Sequence, residues 1–127
     1  MIRKITKPDF GHNQSIVVFL GDSLNVIPGF PIGVKRNLGH AIRCVQEGLD
    51  PPDSKPLTAV GGGVYELRDA DEAGWYRVIY LKKVEQTVYI LHCFKKKTRK
   101  TPRNEIKTAR ARLQALNQEM IKERGRA

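Results

Sequence analysis

A chain of 127 residues, 40% of them hydrophobic, can bury one core and leaves little room for a second domain. Its longest apolar run, Ile16 to Leu20, is far short of the roughly 20 residues a membrane-spanning helix needs, and no apolar leader follows Met1. The formal net charge is +10, with 23 Lys and Arg against 13 Asp and Glu, so a cytoplasmic protein with no membrane partner and a polyanionic one is expected.

Residues 1–14 are polar, carry Pro8 and Gly11, and read as a loosely ordered arm ahead of one domain at 15–122 and a basic tail at 123–127. Ile16 to Leu20 is a run of β-formers ended by Gly21-Asp22, the pattern of a buried strand. Pro31 suits a helix's first turn, and Val34, Leu38, Ala41, Ile42 and Val45 then recur at three- and four-residue spacing up to Gly48, a C-terminal cap. The stretch Asp50 to Thr58 holds Pro51, Pro52 and Pro56 and can be neither helix nor central strand. Val64 to Arg68, Trp75 to Lys82 and Thr87 to Phe94 read as strands, the last two as an antiparallel hairpin. A final helix follows, with Thr101 as N-cap, Pro102 in the first position and Glu105 in the first turn. Its apolar stripe is Ile106, Ala109, Leu113, Leu116 and Met120. Cys44 and Cys93 have apolar neighbours and are expected to be buried free thiols.

The charge is concentrated. Between Lys95 and Arg112 lie nine basic residues and one acidic one, Glu105, so this segment carries most of the excess. Such a field attracts phosphate backbones, and the attraction weakens with salt.

The words Leu20-Gly21-Asp22-Ser23-Leu24, Val45-Gln46-Glu47-Gly48-Leu49, Lys55-Pro56-Leu57, Gly63-Val64-Tyr65-Glu66-Leu67-Arg68, Tyr76-Arg77-Val78-Ile79-Tyr80 and Val88 to Thr98 occur in this order, followed by Thr101-Pro102, Glu105-Ile106, Ala109 and Arg112. As an ordered set they resemble the phage-derived, HigB-like branch of the RelE/ParE toxin superfamily. The resemblance implies an α+β fold, a twisted antiparallel sheet with helices packed on one side. It also implies the toxin of a type II toxin–antitoxin pair. Its partners would be the ribosome, messenger RNA and a cognate antitoxin with a helix-turn-helix domain. RelE- and HigB-type members cut messenger RNA, whereas ParE-type members poison DNA gyrase on the same fold. A non-catalytic nucleic-acid-binding module is a third reading, because fold alone does not decide function.

RNA carries its own nucleophile, so a cleaving protein must remove the 2′-hydroxyl proton, stabilise a dianionic phosphorane and protonate the leaving 5′-oxygen. Fixed cations can meet the second need; no Cys/His spacing for zinc and no dense carboxylate cluster occurs, so no metal and no cofactor is expected. Arg77 interrupts an apolar strand and matches the strand arginine of phosphate-binding relatives, although it could instead snorkel to solvent or pair with Glu66. Arg68 could lie near it across the sheet as a phosphate clamp, or be an exposed strand end. Among Lys95, Lys96 and Lys97, crowding could depress one lysine toward neutrality; Lys96 has the opposite parity to the other two and is taken as the catalytic one, with Lys95 and Lys97 binding RNA. His92 is an acid/base candidate, yet shares the parity of Val88 and Ile90, as a satisfied core histidine would. Arg99, Lys100 and Arg103 are expected to position RNA phosphates, or to form an exposed basic loop. Replacing Arg77 by Ala should then abolish toxicity without unfolding the protein.

Overall fold

The computed structural model describes residues 2–5, 15–84, 86–98 and 100–125. One six-stranded sheet has the order β1-β2-β6-β5-β4-β3, from β1 (Ile2–Ile5), β2 (Ile16–Leu20), β3 (Ser54–Pro56), β4 (Val64–Asp71), β5 (Gly74–Val84) and β6 (Thr87–Lys96). Three helices accompany it: α1 (Ser23–Val26), α2 (Ile32–Gln46) and α3 (Arg103–Gly125), with a short 3-10 turn at Ile27–Gly29. The α+β class expected from the sequence holds, with two refinements. The sheet is mixed, because β2 runs parallel to β6 while every other pair is antiparallel. The helices also divide between its faces, as strand alternation makes clear.

Val17 and Phe19, Leu67, Tyr76, Val78 and Tyr80, and Val88 and Ile90 pack with α2 through Val34, Leu38, Ala41, Ile42 and Val45. The intervening residues Val18 and Leu20, Val64, Ile79 and Leu81, and Leu91 and Phe94 pack with Ala109 and Leu116 of α3. Strands β2, β4, β5 and β6 thus supply both layers by alternation, and the predicted stripes of both helices find apolar cover. Helix α2 ends in a Schellman motif: Gly48, at φ 77°, donates to the Val45 carbonyl, and Leu49 donates to that of Cys44.

Several expectations change. Ile2–Ile5, placed in a loosely ordered arm, pair with β2 as an edge strand, and the arm's residues 6–14 lie outside the described residues, as do 126–127 of the tail. Ser54–Pro56 form the opposite edge, where a proline is tolerated because one side of the strand needs no partner. Helix α3 starts at Arg103, and the Pro102 carbonyl accepts from the amides of Glu105 and Ile106. Thr101 therefore precedes the cap, and its hydroxyl serves elsewhere. Cys93 is buried and Cys44 partly so, both free, and burial pushes the Cys93 thiol up to about 12. Among the described residues no helix is long and apolar enough to cross a membrane, and no group of three or more His, Cys, Asp or Glu could hold a metal ion.

Candidate phosphate-binding site

Arg77 and Arg68 stand directly opposite each other on β5 and β4, and Trp75 stands opposite Lys96 on β6. Arg77 shares the strand parity of Ile79, and Glu66 and Arg68 that of Val64, so all three lie on the α3 face of the sheet. They sit at the end of the sheet where β6 runs out toward α3. Here Lys55, Arg68, Arg77 and Lys100 line a shallow hollow with Trp75, Ala70, Asp53 and Asp69. Four cationic side chains face two carboxylates, so the hollow keeps an excess of positive charge.

Beneath the hollow lies a buried charged chain. Arg77 and Lys96 are each only 5% exposed and Glu66 is 1% exposed. Arg77 Nε is 3.5 Å from Glu66 Oε1, a distance at which attraction persists without a hydrogen bond, and Nε has no hydrogen-bond partner among the described residues. Arg77 Nη1 donates to the Tyr76 carbonyl at 2.9 Å and to that of Asp69 at 3.4 Å. The Thr101 hydroxyl donates to Glu66 Oε2 at 3.0 Å, and Lys96 Nζ donates to Thr101 Oγ1 at 3.2 Å. Two cations thus share one carboxylate in a region shielded from water.

Electrostatics follow from that arrangement. Burial pulls the Lys96 ammonium down to about 8 from an ordinary 10.5; the Arg77 charge adds to this, Glu66 opposes it, and Lys55 and Arg68 lower it further. Burial likewise lowers Arg77, with Glu66 acting against it. A depressed lysine was expected from crowding within the 95–97 triplet. The structure assigns the effect to burial and Arg77, since Lys95 and Lys97 are exposed. Lys95 points to the other face, its ammonium 5.7 Å from the centre of the Tyr76 ring.

The other predicted residues are distributed unevenly. Arg68 reaches the hollow but is clamped by Asp53, whose Oδ1 accepts from Nε at 3.0 Å and Nη2 at 2.7 Å. Lys100 lines the hollow, Arg103 is exposed in the first turn of α3, and Arg99 lies outside the described residues. His92 shares the parity of Val88 and Ile90 but not their face, because the register slips between Ile79 and Tyr80 and brings Leu91 and His92 both to the α3 side, where it is the buried, satisfied histidine that was the alternative expectation. There its Nε2 is 3.0 Å from Glu105 Oε1, and its Nδ1 is 3.1 Å from Arg112 Nη1. Arginine can only donate, so Nδ1 accepts and Nε2–H is left to donate to Glu105. Arg112 also donates to the Leu91 carbonyl and to Asp22 Oδ1, so this basic residue fastens α3 to the sheet instead of facing solvent. His92 is part of that fastening and does not line the hollow. Arg112 and the predicted proton carrier His92 thus both sit in one clasp between α3 and the sheet.

Thr101 and Lys55 were missed as site residues, whereas Glu66 was expected only as the alternative partner of Arg77, which the structure shows it to be. Glu66 had a signal in the sequence: a carboxylate at the parity of buried Val64 requires a cation. Thr101 had none beyond its fit to a helix cap.

A family model described as Phage derived protein Gp49-like (DUF891) matches residues 25–114, which include α2, β3 to β6, every residue of the buried charged chain and the first half of α3. No curated protein matches the chain significantly. A match over most of the length, spanning the fold and the site together, establishes that the chain belongs to the phage-derived Gp49-like (DUF891) family.

Proposed function

We propose that this protein is the toxin of a type II toxin–antitoxin pair, a metal-independent endoribonuclease that cuts messenger RNA on the ribosome. One observation carries the reading: Arg77 and Lys96, predicted from different strands, lie on one face of the sheet, joined through Glu66 and Thr101. Membership of the phage-derived family and resemblance to RelE- and HigB-like toxins support the toxin role and an antitoxin partner. A cytoplasmic site of action follows from the ribosomal substrate.

In this reading the scissile phosphate enters the hollow, where the Arg77 guanidinium, assisted by Lys55 and Lys100, stabilises the charge that develops on the phosphorane oxygens. Lys96, with its proton affinity lowered to about 8, remains an ammonium at neutral pH yet gives up its proton far more readily than an ordinary lysine. As the 2′-oxygen bonds to phosphorus and the P–O5′ bond breaks, Lys96 protonates the departing 5′-oxygen and the 2′-hydroxyl proton leaves to solvent water. Lys97 and Arg103, with Arg99, hold flanking backbone and set register, while Lys95 lies on the opposite face.

Induction in cells followed by mapping of messenger 5′ ends tests the assignment. New 5′ ends within translated frames, lost on replacing Lys96 by Met, are the expected result. Growth arrest with intact messengers and broken DNA would overturn it in favour of gyrase poisoning.

The Asp53–Arg68 pair makes a further expectation. Both side chains are partly exposed, Arg68 at 34% and Asp53 at 55%, so the bridge contributes under about 1 kcal/mol to stability. Asp53→Asn keeps a residue type that tolerates the φ of 49° found there, removes a negative charge from the hollow and releases Arg68. It should tighten binding of a single-stranded RNA oligomer severalfold at low salt, and the gain should vanish at high salt, as read by fluorescence anisotropy.

A further inference from the structure

We infer that Thr101 is a positioning residue for Lys96, and that its hydroxyl makes the docking of α3 a condition for a correctly held lysine. The inference rests on the proposed role of Lys96, but its geometry stands apart from any activity. A threonine hydroxyl has one proton. That proton is committed to Glu66 Oε2 at 3.0 Å, so the oxygen's lone pairs are left to receive Lys96 Nζ at 3.2 Å. The directions are thereby fixed along the chain, from ammonium to hydroxyl to carboxylate. Glu66 is in turn held by the Arg77 charge. No rotation of the hydroxyl satisfies Glu66 by donation and also donates toward Lys96.

Two features give the arrangement its mechanical meaning. Thr101 lies immediately before Pro102, whose carbonyl accepts the first bonds of α3, so its position follows that of the helix start. The helix start is itself fastened to the sheet by Glu105 through His92, and one turn and more beyond by Arg112 through His92, Leu91 and Asp22. The chain between Lys96 and Thr101 is short, and both of its ends are therefore fixed. A surface that displaced the start of α3 would withdraw an acceptor from Lys96 and, with it, move Lys100 at the rim of the hollow.

Among the described residues, the charged groups acting on Lys96 include Arg77 from β5, Glu66 and Arg68 from β4, and Lys55 from β3. Removing the hydroxyl leaves these in place and deletes one stabilising acceptor of the ammonium. The Lys96 titration should then move to lower pH by about one unit, the effect of losing a hydrogen bond to a charged group.

The test is a titration of the full chain, following the Lys96 side-chain nitrogen by NMR in the wild type, Thr101→Val and Thr101→Ser. Val keeps the shape and removes the hydroxyl; Ser keeps the hydroxyl. The expected result is a lower midpoint in Val and a wild-type midpoint in Ser. Ribosome-dependent cleavage should fall about tenfold or more in kcat for Val, with KM little changed and recovery in Ser. An unchanged Lys96 midpoint in a folded Thr101→Val protein overturns the inference, whatever the activity. A shifted midpoint in a protein whose wild type cuts no messenger upholds the positioning role and overturns the ribonuclease reading. Loss of folding in Val but not Ser would show a structural hydroxyl and overturn the specific claim on Lys96.

Discussion

Arg77→Ala should abolish cleavage and also lower the stability of the fold by about 3–5 kcal/mol, the usual consequence of removing one partner of a buried ion pair. Glu66 is almost wholly buried and its charge is balanced by Arg77 and Lys96. Truncation would also strip donors from the Tyr76 and Asp69 carbonyls and open a void beside Phe94, the residue opposite on β6. The sequence alone suggested that this substitution would leave the fold intact. Arg77 at 5% exposure makes it a poor test by itself, because lost toxicity and lost structure would coincide. The informative variant is Arg77→Met with Glu66→Gln, which removes the uncompensated carboxylate along with the cation. Urea denaturation should show the double variant recovering much of the stability lost by Arg77→Ala, while messenger cleavage stays absent. A double variant that cleaves would remove Arg77 from the chemistry, and a fully stable Arg77→Ala would remove the buried pair from the account of the fold.

The parts of the molecule legible in the sequence are those whose period is set by burial. Strand β2 and helix α2 appear nearly at their predicted limits because apolar spacing of two or of three and four residues has few other solutions. Arg68 and Arg77 were placed as neighbours because adjacent antiparallel strands leave little freedom. What escaped depends on pairing at long range. Ile2–Ile5 and Ser54–Pro56 are strands because a neighbour offers hydrogen bonds, since Arg3, Lys4 and Pro56 give them weak propensity. The parallel alignment of β2 with β6 has no local signature. Parity arguments worked for Lys96, which is buried between exposed Lys95 and Lys97, and failed for His92. The difference is the bulge at Leu91, which shifts His92 relative to Ile90 but leaves the three lysines in step with one another. Of the buried chain, Arg77 and Lys96 were found by chemistry, whereas Thr101 was given the one local role its neighbours suggested. Local fit to a helix cap says nothing of a carboxylate arriving from β4.

Lys96→Met should make the protein more stable while ending cleavage. The substitution keeps an unbranched side chain of similar length and removes a cation that the structure holds at 5% exposure beside Arg77. With the lysine at about 8 in the folded chain and 10.5 when unfolded, the unfolded chain binds the extra proton between those values, so wild-type stability rises with pH across that window. Below about pH 8 the combined cost of burial and of the neighbouring Arg77, Lys55 and Arg68 charges is fully present, on the order of 3 kcal/mol, and methionine forgoes the contact with Thr101 and with the Glu66 charge. A net gain of about 1–2 kcal/mol at neutral pH is expected, seen as a rise of several degrees in Tm for a domain of this size. The gain should shrink as the pH rises from 8 and be nearly gone by 10.5, where the wild-type lysine is neutral in the folded chain and half neutral in the unfolded one. Denaturation curves at pH 7, 9 and 10.5 read this directly. Equal stability of the two proteins at pH 7, or an advantage that grows with pH, would contradict a strained cation at this position. Enzymes commonly keep such residues at the expense of stability where the chemistry needs them. A destabilising ammonium that serves no reaction has no comparable reason to stand beside a buried arginine, and the opposite movement of stability and cleavage in one variant is the result that ties Lys96 to the chemistry.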